Sequence, residues 1–320
     1  MDDISHSNGD DTRLDTAARA GWLYFVAGRT QGEIAKILRV SRPTAQRLVS
    51  LCLVEKLVTF QFHHPIASCM EIGDGLARRY KLRICDVVPS DPLSPASLKG
   101  VADRASLLLE RTIARTEPVV IALGTGRAMR ATVDRVLPAA CPRHKVVSLV
   151  GTISPEGSAS PFDAAGRLAD VIGASHYPMP LPVLLPTRKE RDFLLELSTV
   201  RRIRELADAA DLSLVGIGNI GSDAPLRVDG FLSKDEINAL MRFGAVGEIV
   251  GWAFNADGQI LEGKANQRVS SVLPRPSTNH LVAGVAIGGS KVSAVQAALR
   301  GGLINGLVTD ELTALKILKE

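Results

Sequence analysis

The stretch from Thr30 to Glu55, TQGEIAKILRVSRPTAQRLVSLCLVE, constrains the chain more than any other, because two short amphipathic helices must meet there at a tight turn. Ile34, Ala35 and Leu38 fall on one stripe of the first helix. Ser41 is a natural N-cap for the second, and Pro43 sits in its first turn, where a missing N–H costs nothing. Ala45, Leu48, Val49 and Cys52 then recur at helical spacing. That register buries two stripes against each other and leaves Arg42, Thr44, Gln46 and Arg47 pointing away at the start of the second helix. A helix-turn-helix presents base-reading side chains at that position. Arg pairs bidentately with guanine and Gln with adenine, so the residue types suit direct readout in the major groove. An ordinary helical hairpin with a solvated polar face would share the periodicity but not the concentration of such side chains.

Charge sharpens the reading. The chain as a whole carries a formal net charge of only +4. Residues 16–60 hold seven Lys and Arg against Glu33 and Glu55, so the positive excess sits in this head and the remainder is near neutral. A local basic surface draws a protein to phosphates, and one this modest calls for more than one head per assembly. The first residues, MDDISHSNGDDTR, are acidic and polar and are expected to form a disordered tip over 1–15. No signal peptide or long apolar run is present, which excludes membrane spans and points to the cytoplasm. Cys52, Cys69, Cys85 and Cys141 contain no CxxC pair and fit reduced thiols. No metal or cofactor is expected.

The head is expected over 16–62, followed by a short strand or wing (LVTFQFHH) with Pro65 as a boundary. The adjacent His63 and His64 face opposite sides of any strand and are read as linker residues. Residues 63–320 then alternate. Aliphatic runs at 84–88, 119–123, 146–150, 212–217, 281–287 and 304–309 are separated by helical stretches at 96–115, 127–137, 162–172, 188–210, 234–243 and 291–299. This pattern predicts an α/β domain with a largely parallel sheet covered on both faces. The segment 247–262, with Asp257-Gly258 at a turn, is expected as an inserted β-hairpin.

In such folds ligands bind where strands end and helices begin. Gly124, Thr125, Gly126 and Arg127 follow VVIAL and enter a helix, so their N–H groups could hold a phosphate or a row of hydroxyls. Gly216–Gly221 spells GxGxxG, but the residues that follow are loop-like and include Pro225, where a dinucleotide fold needs a helix. The segment is read instead as a ligand-contacting loop through Gly218 and Asn219. Lys291, after Gly288-Gly289-Ser290, starts a helix where a cation gains nothing from the dipole, which favours a ligand role. Glu248 is a lone carboxylate among small apolar residues, able to accept hydroxyl hydrogen bonds.

Taken together, TQGEIAKILRVSRPTAQRL, ALGTGRAM, VGIGNIG, GAVGEIVGWAFNADG and IGGSKVSAVQAALRGGLINGLVTDELTA resemble the SorC-type sugar-binding transcriptional regulators of bacteria over nearly the whole length. The resemblance implies an N-terminal helix-turn-helix and an effector domain related in fold to phosphosugar isomerases, assembled as a homodimer or homotetramer. It implies operator DNA as one partner and a sugar, sugar phosphate or polyol as the other. It points further to the branch that represses erythritol operons, with erythritol as a candidate effector. By motif, Gly124–Arg127 and Lys291 would hold the polar or anionic end of the effector and Glu248 its hydroxyls. Ala128 stands where the family often has Thr, which removes a hydroxyl for a phosphate and leaves room for a neutral polyol. Arg39 replaces the glycine common in the turn of the head. The resulting expectation is a repressor of carbohydrate or polyol catabolism. The rival is a sugar-phosphate isomerase or lyase carrying a DNA-binding head, and no complete nucleophile–base set supports it.

Overall fold

The computed structural model describes residues 7–58, 67–94, 96–151, 163–263 and 265–319. The chain divides into two compact units, Met1–His64 and Pro65–Glu320. Most of the expected wing, with His63, His64 and Pro65, lies outside the described residues.

The first unit is helical: α1 (Ser7–Gly21), a short π-helical turn (Trp22–Val26), α2 (Gln31–Leu38) and α3 (Arg42–Val54). The expectation of a disordered tip over 1–15 is corrected from Ser7 onward, where α1 begins; residues 1–6 lie outside the described residues. Its polar start conceals Ala17 and Ala20, fully buried against Ile34, Ala45, Val49 and Cys52, so this core supplies burial that the local composition does not reveal. Thr30 and Glu33 close a reciprocal capping box on α2: Glu33 N–H donates to Thr30 Oγ1 (3.3 Å), and Thr30 N–H to the Glu33 carboxylate (2.8 Å). Ser41 caps α3 by accepting from Thr44 N–H at 3.3 Å. Between them Arg39 takes a left-handed conformation (φ 54°).

The second unit contains α4 (Ala67–Tyr80), β1 (Ile84–Val88), α5 (Lys99–Ile113), β2 (Val120–Leu123), α6 (Arg127–Val133), β3 (Lys145–Gly151) and α7 (Ala165–Ile172). It continues with β4 (Ser175–Met179), α8 (Arg188–Leu195), α9 (Ser198–Asp208), β5 (Leu212–Gly216), β6 (Gly218–Asn219), α10 (Pro225–Val228) and α11 (Lys234–Arg242). Then come β7 (Ala245–Ile249), β8 (Trp252–Asn255), β9 (Leu281–Val285), α12 (Val292–Arg300), β10 (Gly306–Asp310) and α13 (Glu311–Lys319). Seven strands form a parallel sheet in the order β1-β10-β9-β5-β2-β3-β4, and β6-β7-β8 form a small antiparallel sheet.

The aliphatic runs serve two cores at once. Ile121, Leu123, Leu212, Leu214, Ala283 and Val285 pack with α5, α6 and α7, whereas Ala122, Val215, Val282 and Leu307 face α4, α9, α12 and α13. Side chains that alternate across a sheet buried on both faces must be apolar throughout, which is why these strands read as continuous runs.

Three expectations change in detail. The helix expected over 188–210 is broken at Leu197, which leaves helical geometry (ψ 132°) and starts α9 anew. The strand β4 was absent from the sequence reading because SHYPM is polar and holds a proline, a composition tolerated at a sheet edge. The hairpin turns at Val250-Gly251, where both residues have positive φ (48° and 87°), rather than at Asp257-Gly258. Asp257-Gly258 makes a second turn that returns Ile260 to Phe254.

Candidate functional site

Strands β9, β5 and β2 are neighbours in the centre of the sheet, and each ends in one of the three glycine-rich segments. From β2 the chain proceeds to β3 on one side, and from β5 to β9 on the other, so the strand order reverses between β2 and β5. Such a reversal opens a crevice at the carboxyl ends of the strands. The Gly124–Arg127 loop remains tied to β5 for one residue, with Gly124 N–H donating to Leu214 C=O at 2.9 Å. Gly126 (φ 110°) and Gly288 (φ 108°) then leave their strands in similar conformations, each just before a helical turn. Gly288 N–H is held by Thr313 Oγ1 at 2.9 Å. Lys291 closes the short turn Gly289–Lys291 and caps α12.

The small sheet brings the carboxylate to the same place. Gly218 and Asn219 on β6 pair with Glu248 and Gly247 on β7. A Cβ on Gly218 would lie 2.1 Å from Glu248 Oε1, so the glycine makes room for this side chain. Glu248 is 9% exposed and accepts Gly251 N–H at 2.8 Å, which buttresses the hairpin turn. Burial pushes its carboxyl pKa up, opposed by the Gly251 hydrogen bond and the Lys291 charge. Burial lowers the Lys291 pKa, opposed chiefly by Glu248, while Arg127 lowers it further and Asp223 raises it. Each charge offsets part of the other's burial cost, and the net shift of both groups is still towards the neutral form.

Two carboxylates complete the cluster. Arg127 donates to Asp229 at 2.8 Å, and the Asn219 amide donates to Asp223 at 2.7 Å. Gly124, Gly126, Arg127, Gly218, Asn219, Glu248 and Lys291 thus gather at one edge of the sheet, with Thr125 inside the first loop. Asp223 and Asp229 were missed in the sequence because SDAPLRVDG reads as a connecting loop. Their signal was available: two carboxylates lie in the ten residues after Asn219. The GxGxxG segment enters β6 instead of a helix, so it lacks the helix N-terminus on which a dinucleotide pyrophosphate rests.

In the head, Arg42, Thr44, Gln46 and Arg47 are all exposed, while Ala45, Leu48, Val49 and Cys52 are buried beneath them. Thr44 Oγ1 shares a hydrogen bond with Ser41 Oγ (2.8 Å), so this hydroxyl also serves the cap. All four cysteines are free, and burial with nearby carboxylates raises the Cys85 thiol pKa to about 12. No helix among the described residues is long and apolar enough to cross a membrane.

Residues 64–319 match the family described as "Putative sugar-binding domain". The chain is 32% identical to the erythritol catabolism regulatory protein EryD of Brucella abortus, over 93% of this chain and 94% of that one. The chain belongs to the SorC-type sugar-binding transcriptional regulators. Identity to the transcriptional regulator LsrR of Klebsiella pneumoniae is 30%, over 95% of this chain and 93% of that protein. In fold the regulator is similar to the full-length sorbitol operon regulator SorC of Klebsiella pneumoniae (TM-score 0.69, 22% identity, 97% and 99% covered). It is also similar to a DeoR family transcriptional regulator from Listeria monocytogenes (TM-score 0.71, 20% identity, 78% and 99% covered). This protein is a sugar-responsive transcriptional regulator and not an enzyme, so the isomerase alternative falls.

Proposed function

We propose that the regulator is a repressor of a polyol or carbohydrate catabolic operon, released from its operator by a small polyhydroxylated effector bound at the carboxyl edge of the parallel sheet. Gly124–Arg127, Gly218, Asn219, Glu248 and Lys291 would line the effector site, with Asp223 and Asp229 orienting the amide and guanidinium. Arg42, Thr44, Gln46 and Arg47 would face the bases. Two heads of a cytoplasmic homo-oligomer would read a roughly palindromic operator, since symmetric heads on one duplex meet symmetric half-sites.

The charge balance of the crevice carries the choice of effector. Lys291 and Arg127 stand against Glu248, Asp223 and Asp229, so the acidic groups outnumber the basic ones. A phosphate brings roughly two negative charges and would meet little surplus cation here. A neutral polyol asks instead for paired donors and acceptors, which a buried carboxylate, an ammonium group and an amide supply. Ala128 and the likeness to an erythritol catabolism regulator support the same choice.

The test is a thermal-shift screen of the full-length protein against four- to six-carbon polyols, free sugars and their phosphates, followed by titration of a DNA complex with any stabilising ligand. A specific ligand raises the unfolding temperature through the state it binds. Stabilisation by a polyol with loss of DNA binding is expected. Stabilisation by phosphorylated sugars alone would overturn the neutral effector, and a ligand that leaves DNA binding unchanged would overturn the switch.

A further inference from the structure

We propose that Arg39, in the turn between α2 and α3, is a contact to the DNA phosphate backbone; this rests on the DNA-binding reading of the head. The turn is built without its side chain. Arg39 N–H donates to Lys36 C=O at 3.3 Å and Val40 N–H to Ala35 C=O at 2.9 Å, which satisfies the carbonyls at the end of α2, and Val40 packs on the core of the head. The residue between them must adopt a left-handed conformation (φ 54°, ψ 43°), where glycine fits best and a side chain crowds the backbone. A long cation therefore occupies a position where the turn gains nothing from it.

Its location explains the choice. Arg39 is exposed, and among the described residues it makes no ion pair. Of the two carboxylates in residues 16–60, Glu33 is engaged by Thr30 and by Arg29 at 3.6 Å. Arg42 lies three positions after Arg39, so their Cα atoms lie within about 11 Å of each other. The major groove is about 12 Å wide. With Arg42 at a base edge, Arg39 falls within one groove width, in reach of the phosphates on its rim. Lys81 supplies an internal comparison: it has the same φ of 54° and follows α4 in the same kind of turn, with Leu82 N–H on Ala77 C=O at 2.9 Å, but it lies in the effector unit. Lys56, in the head but after the far end of α3, repeats the turn with φ 54° and Leu57 N–H on Cys52 C=O at 2.9 Å. The fold thus accepts a left-handed cation at three helix ends, and of these Arg39 alone lies in the turn that leads into the base-reading residues.

The experiment compares full-length wild type, Arg39→Gly, Arg39→Lys and Lys81→Gly on a duplex recovered from a random-sequence pool with the wild-type protein, over a range of salt concentrations. Each phosphate contact adds about 0.9 to the slope of log K against log salt. Arg39→Gly is expected to flatten the slope by about 0.9 per bound head and to bind about eightfold more weakly per head at roughly 0.1 M salt, with the difference vanishing towards 1 M. Its head should melt at a higher temperature than wild type, which separates lost contact from lost fold. Arg39→Lys should keep the slope, and Lys81→Gly should leave DNA binding unchanged. An unaltered slope and affinity in Arg39→Gly would overturn the contact while the DNA-binding reading stands. A loss equal at all salt concentrations would assign Arg39 to the shape of the turn and also overturn it. If the wild type enriches no duplex, the DNA-binding reading fails and this contact fails with it.

Discussion

Replacing Glu248 by Gln separates the two roles this side chain plays. Gln has nearly the same shape, so it fits the space left by Gly218, and its carbonyl can still accept Gly251 N–H. The charge is removed, and the second carboxylate oxygen becomes an NH2 that donates where the carboxylate accepted. A hydrogen bond to a charged group contributes about 1.5–3 kcal/mol, and a neutral one about 0.5–1.5 kcal/mol. If effector hydroxyls donate to Glu248, the variant should lose about 1–2 kcal/mol of effector binding, and the midpoint for DNA release should rise about five- to thirtyfold. Stability should move the other way. The Glu248 carboxyl pKa is raised above its ordinary 4.5, mainly by burial. Between 4.5 and the raised value, the folded state holds a proton that the unfolded state has released. Stability from this group is therefore fullest below 4.5 and declines as pH rises through the folded pKa. The Gln variant lacks this decline and should unfold at a higher temperature than wild type near neutral pH when no effector is present. The assays are effector-dependent release of labelled operator and thermal unfolding from about pH 4 to 8, a window spanning the ordinary carboxylate range. A release midpoint within twofold of wild type would remove Glu248 from the effector site. An unchanged pH profile would show that burial does not govern its protonation.

Lys291→Ala should leave operator affinity near wild type and weaken a neutral effector by about 1 kcal/mol, or a phosphorylated one by about 1.5–3 kcal/mol, measured by operator release; an unchanged curve removes Lys291 from the site. Arg47→Ala should cost about 1–3 kcal/mol of specific binding and relax preference at one base-pair position, read by competition among operator variants, whereas a uniform loss would assign the residue to phosphate. In Gly218→Ala the new methyl would lie 2.1 Å from Glu248 Oε1 and displace a carboxyl anchored by Gly251. We expect about 1–3 kcal/mol lower stability by chemical denaturation and a blunted effector response; wild-type behaviour in both would show that Glu248 moves freely.

The sequence by itself determined the elements that rest on local chemistry. The stripe of Ile34, Ala35 and Leu38 marked the first helix of the head and Ser41 with Pro43 the start of the second, because periodicity and capping need only residues three or four apart. The runs 84–88, 212–217 and 281–287 declared a doubly covered parallel sheet, because strands buried on both faces have no polar side to show. Glycines at strand ends marked the loops, although not which loops would meet. Tertiary structure alone placed β9, β5 and β2 side by side and so gathered residues from Gly124 to Lys291 at one edge. It also turned GxGxxG into a strand that seats Glu248, and set Asp223 and Asp229 behind Asn219 and Arg127. α1 belongs with these: its polar start gave no sign that Ala17 and Ala20 would be covered by residues some fourteen to thirty-five positions away. Capping and periodicity act over a few residues and leave their mark in the sequence, whereas strand order and the pairing of distant side chains are settled by which long-range burial the whole chain can satisfy at once.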